Sequence, residues 1–267
     1  MITDGVGKIT YDGLCVENMI RERLFGVVWQ LENGRTGSYR YIGYYMGSHQ
    51  VMIPVRGAEL DSELQLPAEA ESLVLFAHGS GSSRHSPRNQ FVAGKLCEAG
   101  LGTLLFDLLT SEEEEAEIQT RHLRFDIPFL AERLAGATRW ALDRATTKDL
   151  KIGYFGASTG AAAALVAAGS LGNTVGAVVS RGGRPDLAGD ALEQVRAATL
   201  LMVGGEDRPV ISLNEQAYER LQCERALRIV PGATHLFEEP GALEVVARMA
   251  GEWFVEHLTP FKAATRR

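Results

Sequence analysis

KIGYFGASTGAAAALVAAG, residues 151–169, joins an apolar run to an alanine-rich run through one serine set between two glycines. KIGYFG has the make-up of a buried strand, and the alanines after it suit a helix lying close against its neighbours. Gly156-Ala157-Ser158-Thr159-Gly160 fits the pattern G-x-S-x-G. In such a strand-to-helix turn the serine takes a strained backbone conformation, and side chains two positions to either side would collide with it. The pentapeptide alone leaves two readings open. Ser158 is either a nucleophile at the head of a helix or an ordinary helix N-cap.

Working outward, the same alternation repeats. Short apolar runs stand at SLVLFAH (72–78), GTLLFDL (102–108), KIGYFG (151–156), VGAVVS (175–180), ATLLMVGG (198–205) and ALRIVPG (226–232). Each is apolar on both parities, as a strand covered on both faces must be. Segments with helical spacing lie between them: Asn89–Ala99, Asp126–Ala145, Ser158–Gly169, Ser212–Leu221 and Gly241–Leu258. Pro128 falls in a first turn, where its missing N–H costs little. This rhythm predicts an α/β fold, a doubly wound and mostly parallel sheet with helices on both faces. HQVMIPVRGAELDSELQL (49–66) alternates around Arg56-Gly57 and reads as an antiparallel hairpin leading into the sheet. SEEEEAE (111–117) reads as a solvated loop or a helix start.

The expected division is an N-terminal extension over 1–46 and a catalytic domain over 47–267. Within the extension, LFGVVWQL (24–31) and SYRYIGYY (38–45) around Asn33-Gly34 suggest a further hairpin or an oligomerisation arm. Homo-oligomerisation stays open.

With 27 basic and 34 acidic residues, the net charge of −7 offers no electrostatic footprint for nucleic acid or an anionic membrane surface. Cys15, Cys97 and Cys223 are scattered, without CxxC pairing or a histidine cluster, so neither a disulfide framework nor a metal site is indicated. No signal peptide or membrane span stands out, and a cytoplasmic setting is expected. No nucleotide-binding or metalloprotease motif is present, and no cofactor is expected.

A serine nucleophile needs a base, and the base needs an acid to hold its tautomer. Asp207 follows ATLLMVGG and His235 follows ALRIVPG, in the order Ser, Asp, His. All three therefore fall at the carboxyl ends of strands, where open α/β sheets place their sites. Each has a plainer reading: Asp207 as a helix cap with Glu206 competing for the acid role, His235 as a loop histidine. His49 and His257 lie in the wrong regions, His78 suits a backbone-ordering role, and His85 and His122 remain as substrate contacts. Backbone N–H groups of Thr159 and of Ser80, within HGSG at 78–81, are the expected oxyanion donors.

With HGSGSS (78–83), GASTG (156–160), GGEDRPV (204–210) and PGATHLFEEPGAL (231–243) in this order, the chain resembles the α/β-hydrolase superfamily over about 50–267, and within it the dienelactone hydrolase-like group. The resemblance implies an acyl-enzyme mechanism with Ser158 as nucleophile, His235 as proton shuttle and Asp207 as its orienting acid. The group's namesake enzymes use cysteine, and serine here favours a carboxylesterase of small esters over a dienelactone hydrolase. The 17 or so residues between Ser180 and Ala198 are too few for a large helical lid. Arg84, Arg88, Arg181 and Arg184 fall in loops near the site. Arg84 and Arg181 are candidates for a substrate carboxylate, with pairing to acids such as Asp186 as the alternative. Acyl transfer, perhydrolysis and lactone hydrolysis fit the same residues, and a non-catalytic binding protein is the reading from another class.

Overall fold

In the computed structural model, the structure describes residues 48–259 and, before them, two paired two-residue strands, β1 (Thr10–Tyr11) and β2 (Leu14–Cys15). The chain divides between Gly47 and Ser48. The hairpin expected over 24–45 lies outside the described residues.

From Ser48 onward the alternation of the sequence becomes one eight-stranded sheet. Its strands are β3 (Ser48–Val55), β4 (Ala58–Gln65), β5 (Ser72–Ala77), β6 (Gly102–Phe106), β7 (Lys151–Ala157), β8 (Val175–Arg181), β9 (Ala198–Gly204) and β10 (Arg225–Val230). They lie in the order β10-β9-β8-β7-β5-β6-β4-β3. The hairpin β3–β4 is antiparallel and joins β6 antiparallel, whereas β5 to β10 run parallel to their neighbours. Gly57, at φ +76, makes the hairpin turn that Arg56-Gly57 suggested.

Burial explains why strands here are apolar on both parities. Every residue of β5, β6 and β9 is buried, because helices cover both faces. Even-numbered positions of β7, Ile152 and Tyr154, enter the core under α3 (Ile127–Asp143), α4 (Thr159–Leu171) and α5 (Arg208–Arg220). Phe155, on the opposite parity, enters the core under α1 (Pro87–Glu98) and α6 (Ala242–Leu258). β10 is the exception: an edge strand with Ile229 exposed.

The acidic run is a helix, α2 (Ser111–Thr120). Thr110 and Glu113 form a reciprocal capping box, and two further glutamates, Glu112 and Glu114, crowd the positive N-terminal end. Two features departed from the expected pattern. Helix α5 begins at Arg208 rather than Ser212, with Pro209 in its first turn. The segment after β8 coils into a 3-10 stretch, Pro185–Gln194, broken at Gly189. Among the described residues no helix is long and apolar enough to cross a membrane.

Candidate active site

Strand order decides what meets at the carboxyl edge. The chain runs from β5 to β6 on one side, then returns to lay β7 on the other side of β5. Such a reversal opens a crevice between the loops that leave the two strands. Ala77 pairs with Gly156, so the HGSG loop after β5 and the Ser158 turn after β7 emerge side by side.

The turn at Ser158 has φ +50 and ψ −121. Ser158 stands at the N-cap position of α4, yet its side chain makes no capping bond. The strain is held by backbone bonds. Ser158 N–H donates to Arg181 C=O at 3.3 Å, and Ser158 C=O accepts from Arg184 N–H at 3.1 Å. Buried Asn214, on α5, secures that β8 loop by donating to Gly183 C=O at 3.0 Å. The glycines are required by close approach. A Cβ on Gly156 would fall on the Ala161 backbone, and one on Gly160 would lie 2.6 Å from the Ala77 carbonyl carbon. A Cβ on Gly79 would sit 3.0 Å from Ser158 Cβ, which measures how near the HGSG loop comes.

Asp207 follows β9 and stands at the N-cap position of α5, again without capping it. Its Oδ2 instead lies 2.6 Å from His235 Nδ1. Glu206, the rival acid, is exposed and takes no part in this bond. Gly204 makes the approach feasible: any side chain there would overlap the carbonyls of Ala233 and Thr234, which lead to His235. Asp207 is 13% exposed and His235 39%, so the acid is shielded while the imidazole opens outward. With Asp207 accepting from Nδ1–H, Nε2 is left with its lone pair. The loop that clamps Ser158 also borders this imidazole, because a Cβ on Gly182 would lie 3.6 Å from His235 Nδ1.

On the other side, His78 orders backbone as its position suggested. Its Nε2 accepts from Leu108 N–H at 3.0 Å, which puts the proton on Nδ1, where it meets Gly79 C=O at 3.0 Å. Burial pushes the His78 imidazole below its ordinary pKa. Ser80 N–H donates to Thr159 Oγ1 at 3.0 Å. Asp107, a residue the sequence reading left without a role, anchors the rest of the loop. It accepts from Arg84 N–H at 2.6 Å and forms an ion pair with the Arg84 guanidinium. Its only signal in the sequence was a carboxylate at the end of a strand.

A cleft of about 790 Å³ adjoins this arrangement at Gly79, Ser80 and Thr159, though Ser158, Asp207 and His235 are not part of its wall. Leu108, Leu109, Leu130 and Ile118 give it an apolar side. Glu114 and Glu115, which form no ion pair among the described residues, line it as well. His85 also faces this cleft, whereas His122 lies outside its wall.

The loop arginines are largely engaged. Arg84 is bound to Asp107, Arg88 to Glu238 at 2.6 Å and Arg184 to Asp186 at 2.7 Å. Arg181 is buried beside Asn89, outside the cleft wall, with Nε and Nη1 lacking partners among the described residues. Burial, with Arg88 nearby, lowers its pKa to about 10. No group of three or more metal-ligating side chains occurs among the described residues.

A model of the dienelactone hydrolase family matches residues 66–263. The crystal structure of dienelactone hydrolase from Anabaena variabilis is 58% identical, covers 80% of this chain and 100% of its own, and gives a TM-score of 0.80. Two Mycobacterium tuberculosis proteins (strains CDC 1551 and H37Rv), provisionally named phosphoribosyl transferases, are 55% identical over 206 residues, 77% of this chain and 44% of theirs. The chain thus spans less than half the length of those curated relatives. Carboxyl esterase 2 from Tuber melanosporum, 17% identical with a TM-score of 0.62, covers 91% of this chain and 97% of its own and shares the fold.

Proposed function

The chain belongs to the dienelactone hydrolase family of α/β hydrolases, and on that premise we propose that it is a serine carboxylesterase of small, uncharged esters. One observation carries the reading most directly: Asp207 forgoes its helix cap to hold His235 Nδ1 at 2.6 Å. A carboxylate with a merely structural role would satisfy the free N–H groups of its own helix.

In the proposed reaction Ser158 Oγ attacks the acyl carbonyl while His235 Nε2 takes the hydroxyl proton. The tetrahedral intermediate collapses, and His235 returns that proton to the departing alcohol. Water, deprotonated by the same nitrogen, then attacks the acyl-enzyme; the acyl bond to Ser158 Oγ breaks, His235 gives the proton back to that oxygen, and the acid is released. Asp207 holds the imidazole in the required tautomer throughout. Thr159 N–H, at the first turn of α4, faces the developing oxyanion with the helix dipole behind it.

The cleft supports the choice of substrate. Its leucines suit a short acyl or alcohol group, while Glu114 and Glu115 disfavour a carboxylate-bearing one. The free thiols of Cys97 and Cys223 fit a reducing, cytoplasmic setting.

The test is an acyl-length series of aryl esters run on wild type and Ser158→Ala, with fluorophosphonate labelling of the folded protein. Labelling at Ser158 and hydrolysis lost in the variant are expected. An unlabelled, inactive wild type would favour a binding protein that retains the fold.

A further inference from the structure

Ser80 N–H, one of the two backbone donors expected at the oxyanion, is already engaged: it donates to Thr159 Oγ1 at 3.0 Å. A hydroxyl that accepts from an N–H keeps its own proton to give. Thr159 is only 3% exposed and lies on the cleft wall. Among the described residues nothing accepts from its hydroxyl. A nearly buried donor with no acceptor calls for a partner that arrives from the cleft. Thr159 also directly follows Ser158, so its N–H is among the unpaired donors at the start of α4.

We propose that Thr159 supplies both oxyanion donors, its backbone N–H and its Oγ1–H, with Ser80 N–H acting from behind to polarise the hydroxyl. This rests on the serine-hydrolase reading above and specifies its electrophilic half. An N–H···O–H···O⁻ relay strengthens as charge develops, since each bond polarises the next. Hydrogen bonds to an oxyanion from a hydroxyl are short and charge-assisted, so this one tightens in the tetrahedral state more than in the ground state. The competing arrangement is a plug, in which the hydroxyl blocks Ser80 N–H until substrate displaces it. The two differ in sign when the hydroxyl is removed.

The experiment uses the full chain and a short-acyl aryl ester. Thr159→Val keeps the branch, the backbone N–H and a methyl group that holds Ser80 back. Its kcat is expected to fall about 10²- to 10³-fold with KM changed only a few-fold. Affinity for a trifluoromethyl ketone, which forms the tetrahedral oxyanion, is expected to fall by a similar factor. Thr159→Ser, which retains the hydroxyl, is expected to stay within a few-fold of wild type. If Thr159→Val does not fold, Thr159→Ala carries the same expectation. A kcat equal to or above wild type would identify a plug and overturn the proposal. Equal losses in the Val and Ser variants, or unchanged ketone affinity, would reduce Thr159 to packing and overturn it too. Failure of the underlying reading is seen separately, as wild-type protein that fluorophosphonate does not label at Ser158.

Discussion

Asp207 sits at the N-cap of α5 and gives its carboxylate to His235 Nδ1, 2.6 Å away, rather than to the helix. The helix start is therefore less well satisfied than residue choice would allow. Asparagine at this position is a good cap, yet its amide can donate to Nδ1 and stabilise the wrong imidazole tautomer. Asp207→Asn should then lower kcat by about three to four orders of magnitude. Its melting temperature should hold or rise, since asparagine caps helices as well as aspartate does. Steady-state kinetics beside thermal denaturation checks both halves, and a parallel fall in activity and stability would contradict the assignment.

Ser158 pays for its exposure in backbone strain. At φ +50 it occupies a region that glycine enters freely and other residues enter at a cost of about 1–3 kcal/mol. Both Ser158→Ala and Ser158→Gly remove the hydroxyl and should abolish hydrolysis. They should differ in stability: the glycine variant is expected to be more stable by about 1 kcal/mol, after its larger unfolded-state entropy is offset. Urea midpoints at equal slope measure the difference. A glycine variant less stable than the alanine variant would show that the turn is not strained.

Much of this is legible in the sequence. The buried strands announced themselves because two covered faces demand apolar residues at both parities, and GASTG marked the turn because only glycine fits at Gly156 and Gly160. Asp207 and His235 stand out by chain order together with their places just after two apolar runs. Arg84 was harder, because a loop arginine has the same sequence whether it faces solvent, substrate or Asp107; only the return of β6 beside β5 brings that acid to it. The 3-10 stretch at Pro185–Gln194 and the clamp from Asn214 to Gly183 were invisible for the same reason, being set by tertiary contact rather than by periodicity.

Two glycines that look alike in sequence should respond oppositely to alanine. Gly160 opens α4 against the HGSG loop, where an added methyl would fall on the Ala77 and His78 carbonyls. Gly160→Ala should cost about 3 kcal/mol or more and impair kcat by displacing that loop. Gly94 lies inside α1 with open space around its absent side chain. Gly94→Ala should stabilise the protein by about 0.5–1 kcal/mol through helix propensity and leave kcat unchanged. Denaturant unfolding of the two variants, read against wild type, tests the contrast.

His78 gives the fold a defined sensitivity to acid. Its Nε2 must stay unprotonated to accept from Leu108 N–H, and its Nδ1–H meets Gly79 C=O. Burial lowers its pKa, while the Gly79 carbonyl, Asp107 and Glu114 pull the other way without cancelling the effect. In the unfolded chain the imidazole protonates near its ordinary value of about 6.5. The unfolded state therefore binds the proton first. The stability that neutral His78 contributes is complete above about pH 6.5 and is lost as pH falls toward the depressed folded value. His78→Asn retains a donor and an acceptor but cannot titrate. The stability advantage of wild type over this variant should be largest at pH 7 and shrink toward pH 5, by at most about 1.4 kcal/mol per pH unit. Urea unfolding of both proteins at pH 7, 6 and 5 reads this directly. A gap that does not change with pH would mean that some other group carries the acid sensitivity, and that the tie between Leu108 and the HGSG loop survives protonation.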